Sequence, residues 1–128
     1  MLITVINPNT STAMTSVIES AARAVAGPDT RVRAVTPGMG PASIESHYHE
    51  ALAVPGVLAE IMTGERLGSD GYVLACFGDP GLQAAREAAR GPVVGIAEAA
   101  MHTASLLGRG FSARSVPEQA RSRAPVSA

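Results

Sequence analysis

Asp70-Gly-Tyr-Val-Leu-Ala-Cys-Phe-Gly-Asp-Pro80 is the stretch whose reading decides the fold. Tyr72 to Ala75 is a short apolar run bounded by turn residues, which predicts a buried strand delivering Cys76 onto a loop. A helical pattern follows at once over Gly81 to Arg90, with Asp79 placed to cap it and Pro80 suited to its first position. Cys76 is then expected between the carboxyl end of a strand and the amino end of a helix. Unpaired N–H groups and the positive end of a helix dipole stabilise an anion there, so the thiolate is expected to form more readily than in a free cysteine.

Working outward, Leu2 to Ile6 is a second continuous apolar run, ended by Asn7-Pro8-Asn9-Thr10-Ser11, five residues that favour turns and caps. Met14, Val17, Ile18, Ala21, Ala22 and Val25 then follow helical spacing over residues 12–26, and Gly27-Pro28 stops the helix. Residues 30–35 alternate in the manner of an edge strand, with Val32 and Val35 facing in and Arg31 and Arg33 facing out. The loop of residues 36–43 holds Pro37, Gly38, Gly40 and Pro41. Helical character returns over residues 44–66, where Pro55-Gly56 is expected to kink the helix or split it in two. Beyond the central stretch, Pro92 to Ile96 predicts a fourth strand and Ala97 to Leu107 a fourth helix closed by Gly108.

Strand and helix therefore alternate four times. Continuous apolar strands in such an alternation predict an α/β fold, a parallel four-stranded sheet with helices on both faces. Ligands bind such sheets outside the carboxyl ends of the strands, so four loops are expected to meet there: residues 7–11, 36–43, 76–79 and 95–98. One α/β lobe is expected over residues 1–112. Residues 113–128 hold only Ala, Arg, Ser, Pro, Val, Glu and Gln, too little apolar surface to order themselves, and are expected to form a disordered tail. The abrupt change of composition after Gly110-Phe111-Ser112, which reads as the start of another strand, suggests a reading frame that changed or a chain that ended early.

Bulk composition excludes several classes. The 128 residues carry 10 basic and 11 acidic side chains, and no basic stripe marks a nucleic-acid footprint. No apolar run approaches the roughly 20 residues that span a bilayer. One cysteine cannot form an internal disulfide, and the chain opens directly on a strand pattern, so a cytoplasmic protein with a reduced thiol is expected. His47 and His49, at i and i+2, would point about 200° apart on a helix and could not share a metal there. His102 lies in a helix of small residues and is more often a satisfied side chain than a base. Cys76 itself has two readings, a working thiol or a small apolar filler, and its place at a strand end favours the first.

Four motifs in order, Ile6-Asn-Pro-Asn-Thr10, Gly40-Pro-Ala-Ser-Ile-Glu-Ser46, Cys76-Phe-Gly-Asp-Pro-Gly81 and Gly95-Ile-Ala-Glu-Ala-Ala100, resemble the hydantoin and allantoin racemases of the aspartate/glutamate racemase superfamily, amino-terminal half only. The resemblance implies a cofactor-independent isomerase of two pseudo-symmetric α/β lobes, each giving one cysteine to the substrate carbon. It implies that Cys76 is catalytic and that the substrate-binding residues are Asn9 and Thr10 with Asn7 behind them, Phe77 and Gly78 beside the thiol, and Glu98 behind these contacts, for a cyclic ureide or imide, with no metal and no cofactor. It also implies a second cysteine that this chain lacks, so activity is expected to be impaired unless a second subunit, water or a histidine serves the opposite face. An exposed interlobe surface would favour self-association. The alternatives are another isomerase of the superfamily, such as an amino-acid racemase or maleate isomerase, and a non-catalytic remnant or binding module.

Overall fold

The computed structural model describes residues 1–113, so the tail expected over residues 113–128 lies, from residue 114 on, outside the described residues. The elements are β1 (Leu2–Ile6), α1 (Thr12–Val25), β2 (Arg31–Val35), α2 (His47–Leu67), β3 (Gly71–Leu74), α3 (Leu82–Ala88), β4 (Val93–Gly95) and α4 (Ile96–Leu107). All strand pairs are parallel, in the order β2-β1-β3-β4. Ile6 pairs with Val35 on one side and Leu74 on the other, and Leu74 pairs with Gly95, so the four carboxyl ends finish level. The chain steps from β1 to β2 in one direction and from β2 through β3 to β4 in the other. Right-handed crossovers therefore put α1 on one face of the sheet and α2 and α3 together on the opposite face.

The core lies on the α2–α3 face. Ile6, Val35, Tyr72, Leu74 and Val93 project from the sheet against Val57 and Ile61 of α2 and Leu82 and Ala85 of α3, all buried. Gly64 permits the closest approach: a Cβ there would overlap the Tyr72 ring. The expected break at Pro55-Gly56 does not occur, and α2 is a single helix. Ala51 and Pro55 both lie on its exposed side, where the carbonyl that proline leaves without a donor is open to water. Gly56 is buried, facing the Met39 carbonyl and Pro37, so the missing side chain lets the loop after β2 close over the helix.

Two further expectations change. Val32 and Val35 are both buried, but an odd spacing of three residues puts them on opposite faces of β2. Arg33 shares the Val35 face and reaches Glu60 of α2 at 3.4 Å rather than pointing into solvent. On α1 the apolar spacing forms a helix as expected, yet Thr15 is its only fully buried residue, while Met14, Val17 and Val25 are exposed.

The Tyr72 hydroxyl donates to Glu65 Oε1 at 2.7 Å, and burial, then this bond to a carboxylate, pushes its phenol up to about 12. Tyr72→Phe is expected to cost about 1–2 kcal/mol in urea unfolding at pH 8. Because the folded phenol holds its proton more tightly than the unfolded one, its contribution is complete below the unfolded value of about 10. The contribution disappears as pH rises from there toward 12, so the gap between wild type and Tyr72→Phe should narrow over that window.

Candidate active site

The level carboxyl ends bring the four expected loops to one edge, and hydrogen bonds join them in pairs. The first pair is the loop after β1 with the loop after β2. The Asn7 amide N–H donates to the Val35 carbonyl at 3.1 Å and that of Thr10 to the Pro41 carbonyl at 3.0 Å. Inside this pair lies a polar network centred on buried Asn7, Asn9 and Thr15. Asn7 Nδ2 donates to Asn9 Oδ1 at 2.8 Å and to Thr15 Oγ1 at 3.0 Å, and Thr15 Oγ1 meets Thr36 Oγ1 at 2.6 Å. Asn9 Oδ1 also accepts from the Ser11 amide, and Ser11 Oγ caps α1 by accepting from the Met14 amide. Asn7 and Asn9 are 1% and 6% exposed, so their side chains hold the loop in shape and leave Thr10 at its half-buried rim.

The second pair is the loop after β3 with the start of α4, and it departs from expectation. Asp79 does not cap α3. That helix begins at Leu82 behind Gly81, whose φ of +74° suits glycine, and no side chain caps it. Asp79 instead adopts a left-handed φ of +45° and turns its carboxylate to α4, where Oδ1 accepts from the Ala97 amide at 3.1 Å and Oδ2 from the Glu98 amide at 2.8 Å. Gly95, the residue ahead of α4, makes room: a Cβ on it would overlap the Asp79 carboxylate. One loop thus caps the helix that follows another.

Cys76 stands half-buried at the start of this turn, one residue after Ala75, whose amide donates to the Ile6 carbonyl at 2.9 Å. The Asp79 amide closes the turn on the Cys76 carbonyl at 3.0 Å. The expected lowering of the thiol pKa is not found: burial, helped by the negative charges of Glu50 and Asp79, pushes the thiol up, against the pull of the Gly78 amide. The reason is structural. α3 has 7 residues and starts six positions beyond the cysteine, so its weak dipole is too far to act, while two carboxylates stand nearby.

Phe77 and Gly78 are exposed on the same turn. The Glu98 carboxylate, in contrast, pairs with Arg86 of α3, which holds it below the usual carboxylate range, and it is thereby engaged away from the thiol. Sequence reasoning missed Glu50, in the first turn of α2. Its carboxylate packs against Gly78 and meets the exposed His47 Nδ1 at 2.8 Å. His49 Nδ1 instead accepts from the Glu45 amide at 3.2 Å, so the two histidines part as the helical spacing requires. Among the described residues no group of three or more His, Cys, Asp or Glu side chains could hold a metal ion. Nor, among them, is any helix long and apolar enough to cross a membrane.

Comparison with known proteins agrees with the fold. The family model for Asp/Glu/hydantoin racemase matches residues 3–113. A hydantoin racemase of Pseudomonas sp. (strain NS671) is 58% identical over 112 residues, which are 88% of this chain and 45% of that protein. A hydantoin racemase of Rhizobium meliloti is 50% identical over 122 residues, 91% of this chain and 51% of that one. Among solved structures, an allantoin racemase from Klebsiella pneumoniae superposes with a TM-score of 0.82 at 60% identity, covering 83% of this chain and 43% of its own. The chain spans about half the length of the relatives it matches. A match that runs through both halves of the sheet and all four loops has one reading: the chain belongs to the Asp/Glu/hydantoin racemase family.

Proposed function

We propose that the chain carries one lobe of a cofactor-independent racemase of five-membered cyclic ureides or imides, 5-substituted hydantoins or allantoin, with Cys76 exchanging the proton at the ring stereocentre. The observation that carries this reading is a lone thiol at the carboxyl edge of a parallel sheet, in a chain 58% identical to a hydantoin racemase. The ring carbon to be inverted lies beside a carbonyl, so removing its proton leaves an enolate whose charge rests on oxygen. The thiolate takes that proton and becomes a thiol; a second acid returns a proton to the opposite face, and the ring is otherwise unchanged.

A thiol held above its usual pKa rests protonated near neutral pH and is a stronger base once ionised. That suits removal of a proton from carbon, which a weak base does slowly. Phe77 and Gly78, exposed beside the sulfur, contact the ring, and Thr10 faces it across the edge of the sheet. Asn7 and Asn9 support that rim, and Glu98 acts through its place at the start of α4.

The 128 residues hold one cysteine, so the acid that serves the opposite face comes from outside them. A second copy would bring one. β4 and α4 leave Val94, Ile96, Met101, Leu106 and Leu107 exposed, and Phe111 beyond the helix is exposed as well; exposed apolar side chains of this kind favour association. Concentration-dependent self-association is expected in sedimentation velocity, and a strict monomer at high concentration would remove the second copy as the source.

The test of the reading is the loss of optical rotation of a single-enantiomer hydantoin and, separately, of allantoin, with free L-aspartate as the comparison. Decay is expected for the rings and not for the amino acid. A folded chain that binds the rings without turnover would be a binding module.

A further inference from the structure

We propose that Asp79 is a positioning residue for the Cys76 thiol: by capping α4 from the neighbouring loop, its carboxylate holds the turn that presents the sulfur at the carboxyl edge of β3. The inference rests on the reading of Cys76 as the working group and adds what keeps that group in place. Three observations carry it. The carboxylate takes two amides of another helix, those of Ala97 and Glu98, instead of the helix that follows it in sequence. Its backbone sits at a φ of +45°, a left-handed conformation that aspartate tolerates better than most residues but that a turn free to relax would abandon. Gly95 presents no Cβ where the carboxylate lies, so the pocket for it is formed by both loops together.

The same turn is closed on the cysteine by the bond from the Asp79 amide to the Cys76 carbonyl. A carboxylate anchored at one end and a cysteine carbonyl at the other leave Sγ little freedom to move away from the strand end. The charged groups facing the thiol are Asp79 in its own turn and Glu50 from α2, with the Gly78 amide as the opposing dipole. Asp79 thus places the sulfur and also sets part of the field around it.

The experiment is alkylation of Cys76 by iodoacetamide as a function of pH, in the full chain, where the single cysteine makes the reaction report one site. Asp79→Gly removes the carboxylate while keeping a residue at ease with positive φ; Asp79→Asn keeps one acceptor oxygen and loses the charge. Both variants are expected to shift the alkylation midpoint to lower pH. The limiting rate at high pH should change by about threefold or more in Asp79→Gly and by less in Asp79→Asn, since displacement rather than charge governs it. The Ala97 and Glu98 amides should lose hydrogen-exchange protection by about tenfold in Asp79→Gly.

Lost protection with midpoint and limiting rate both at wild-type values would make Asp79 a helix cap and nothing more, and would overturn the proposal. If Asp79→Gly does not fold, Asp79→Asn decides on the same two readings. Alkylation needs no hydantoin, so a failure of the racemase reading shows in optical rotation alone and leaves this test standing.

Discussion

On the proposed function, Cys76→Ser is expected to abolish racemisation and α-proton exchange of a hydantoin ring, with a loss of about 10³-fold or more over the wild-type rate. A serine hydroxyl is close to a thiol in shape but far too weakly acidic to release and take back a proton near neutral pH, so geometry survives and chemistry does not. The thiol is half-buried and its neighbours are a turn rather than the packed core, so the substitution should leave the far-ultraviolet dichroism and the unfolding midpoint nearly unchanged. The two proteins are compared on the same ring under the same buffer, because such rings also racemise unaided. Equal decay for wild type and Cys76→Ser sinks the assignment of the cysteine, whatever the family of the chain.

Gly95→Ala is expected to lower stability by about 2–4 kcal/mol. Conformation is not the cause, since Gly95 has φ −87° and ψ +137°, which any residue adopts. The cause is space. The new methyl would occupy the position of the Asp79 carboxylate, which must then leave the Ala97 and Glu98 amides, and these become donors without an acceptor at the start of α4. Urea unfolding should show a lower midpoint at unchanged slope, as for a change in stability alone. A loss under about 0.5 kcal/mol, the range of an ordinary surface substitution, would mean that the two loops slide apart at little cost.

Three strands were legible as short apolar runs ended by turn residues and β2 by its alternation, and the parallel sheet followed from their alternation with helices. Cys76 was legible for the same reason: it is the first residue past such a run. What the sequence obscured were the places where a distant partner outweighs a local rule. Pro55-Gly56 reads as a break, but the loop after β2 packs on Gly56 and the proline faces water, so the helix continues. Asp79-Pro80 reads as the start of the next helix, yet the acceptor is aimed at amides 18 and 19 residues further on. No nearby residue signals that bond. The nearest clue is Gly95-Ile96, a helix start with no capping side chain of its own, which leaves its amides in need of an acceptor. Glu50 was likewise hidden, because what brings it to the thiol turn is the fold of α2 over the sheet and not its spacing from Cys76.

The strand order has one more consequence. The chain leaves β1 toward one face of the sheet and β3, its neighbour, toward the other, so the loops that follow these two strands must diverge as they leave the edge. In parallel sheets wound this way the divergence leaves an opening at the edge without any side chain being withheld to form it. Its existence is a matter of winding and its lining a matter of residues. On the proposed function, substitutions at Thr10, Phe77 or Gly78 would retune which ring is accepted while the opening itself persists.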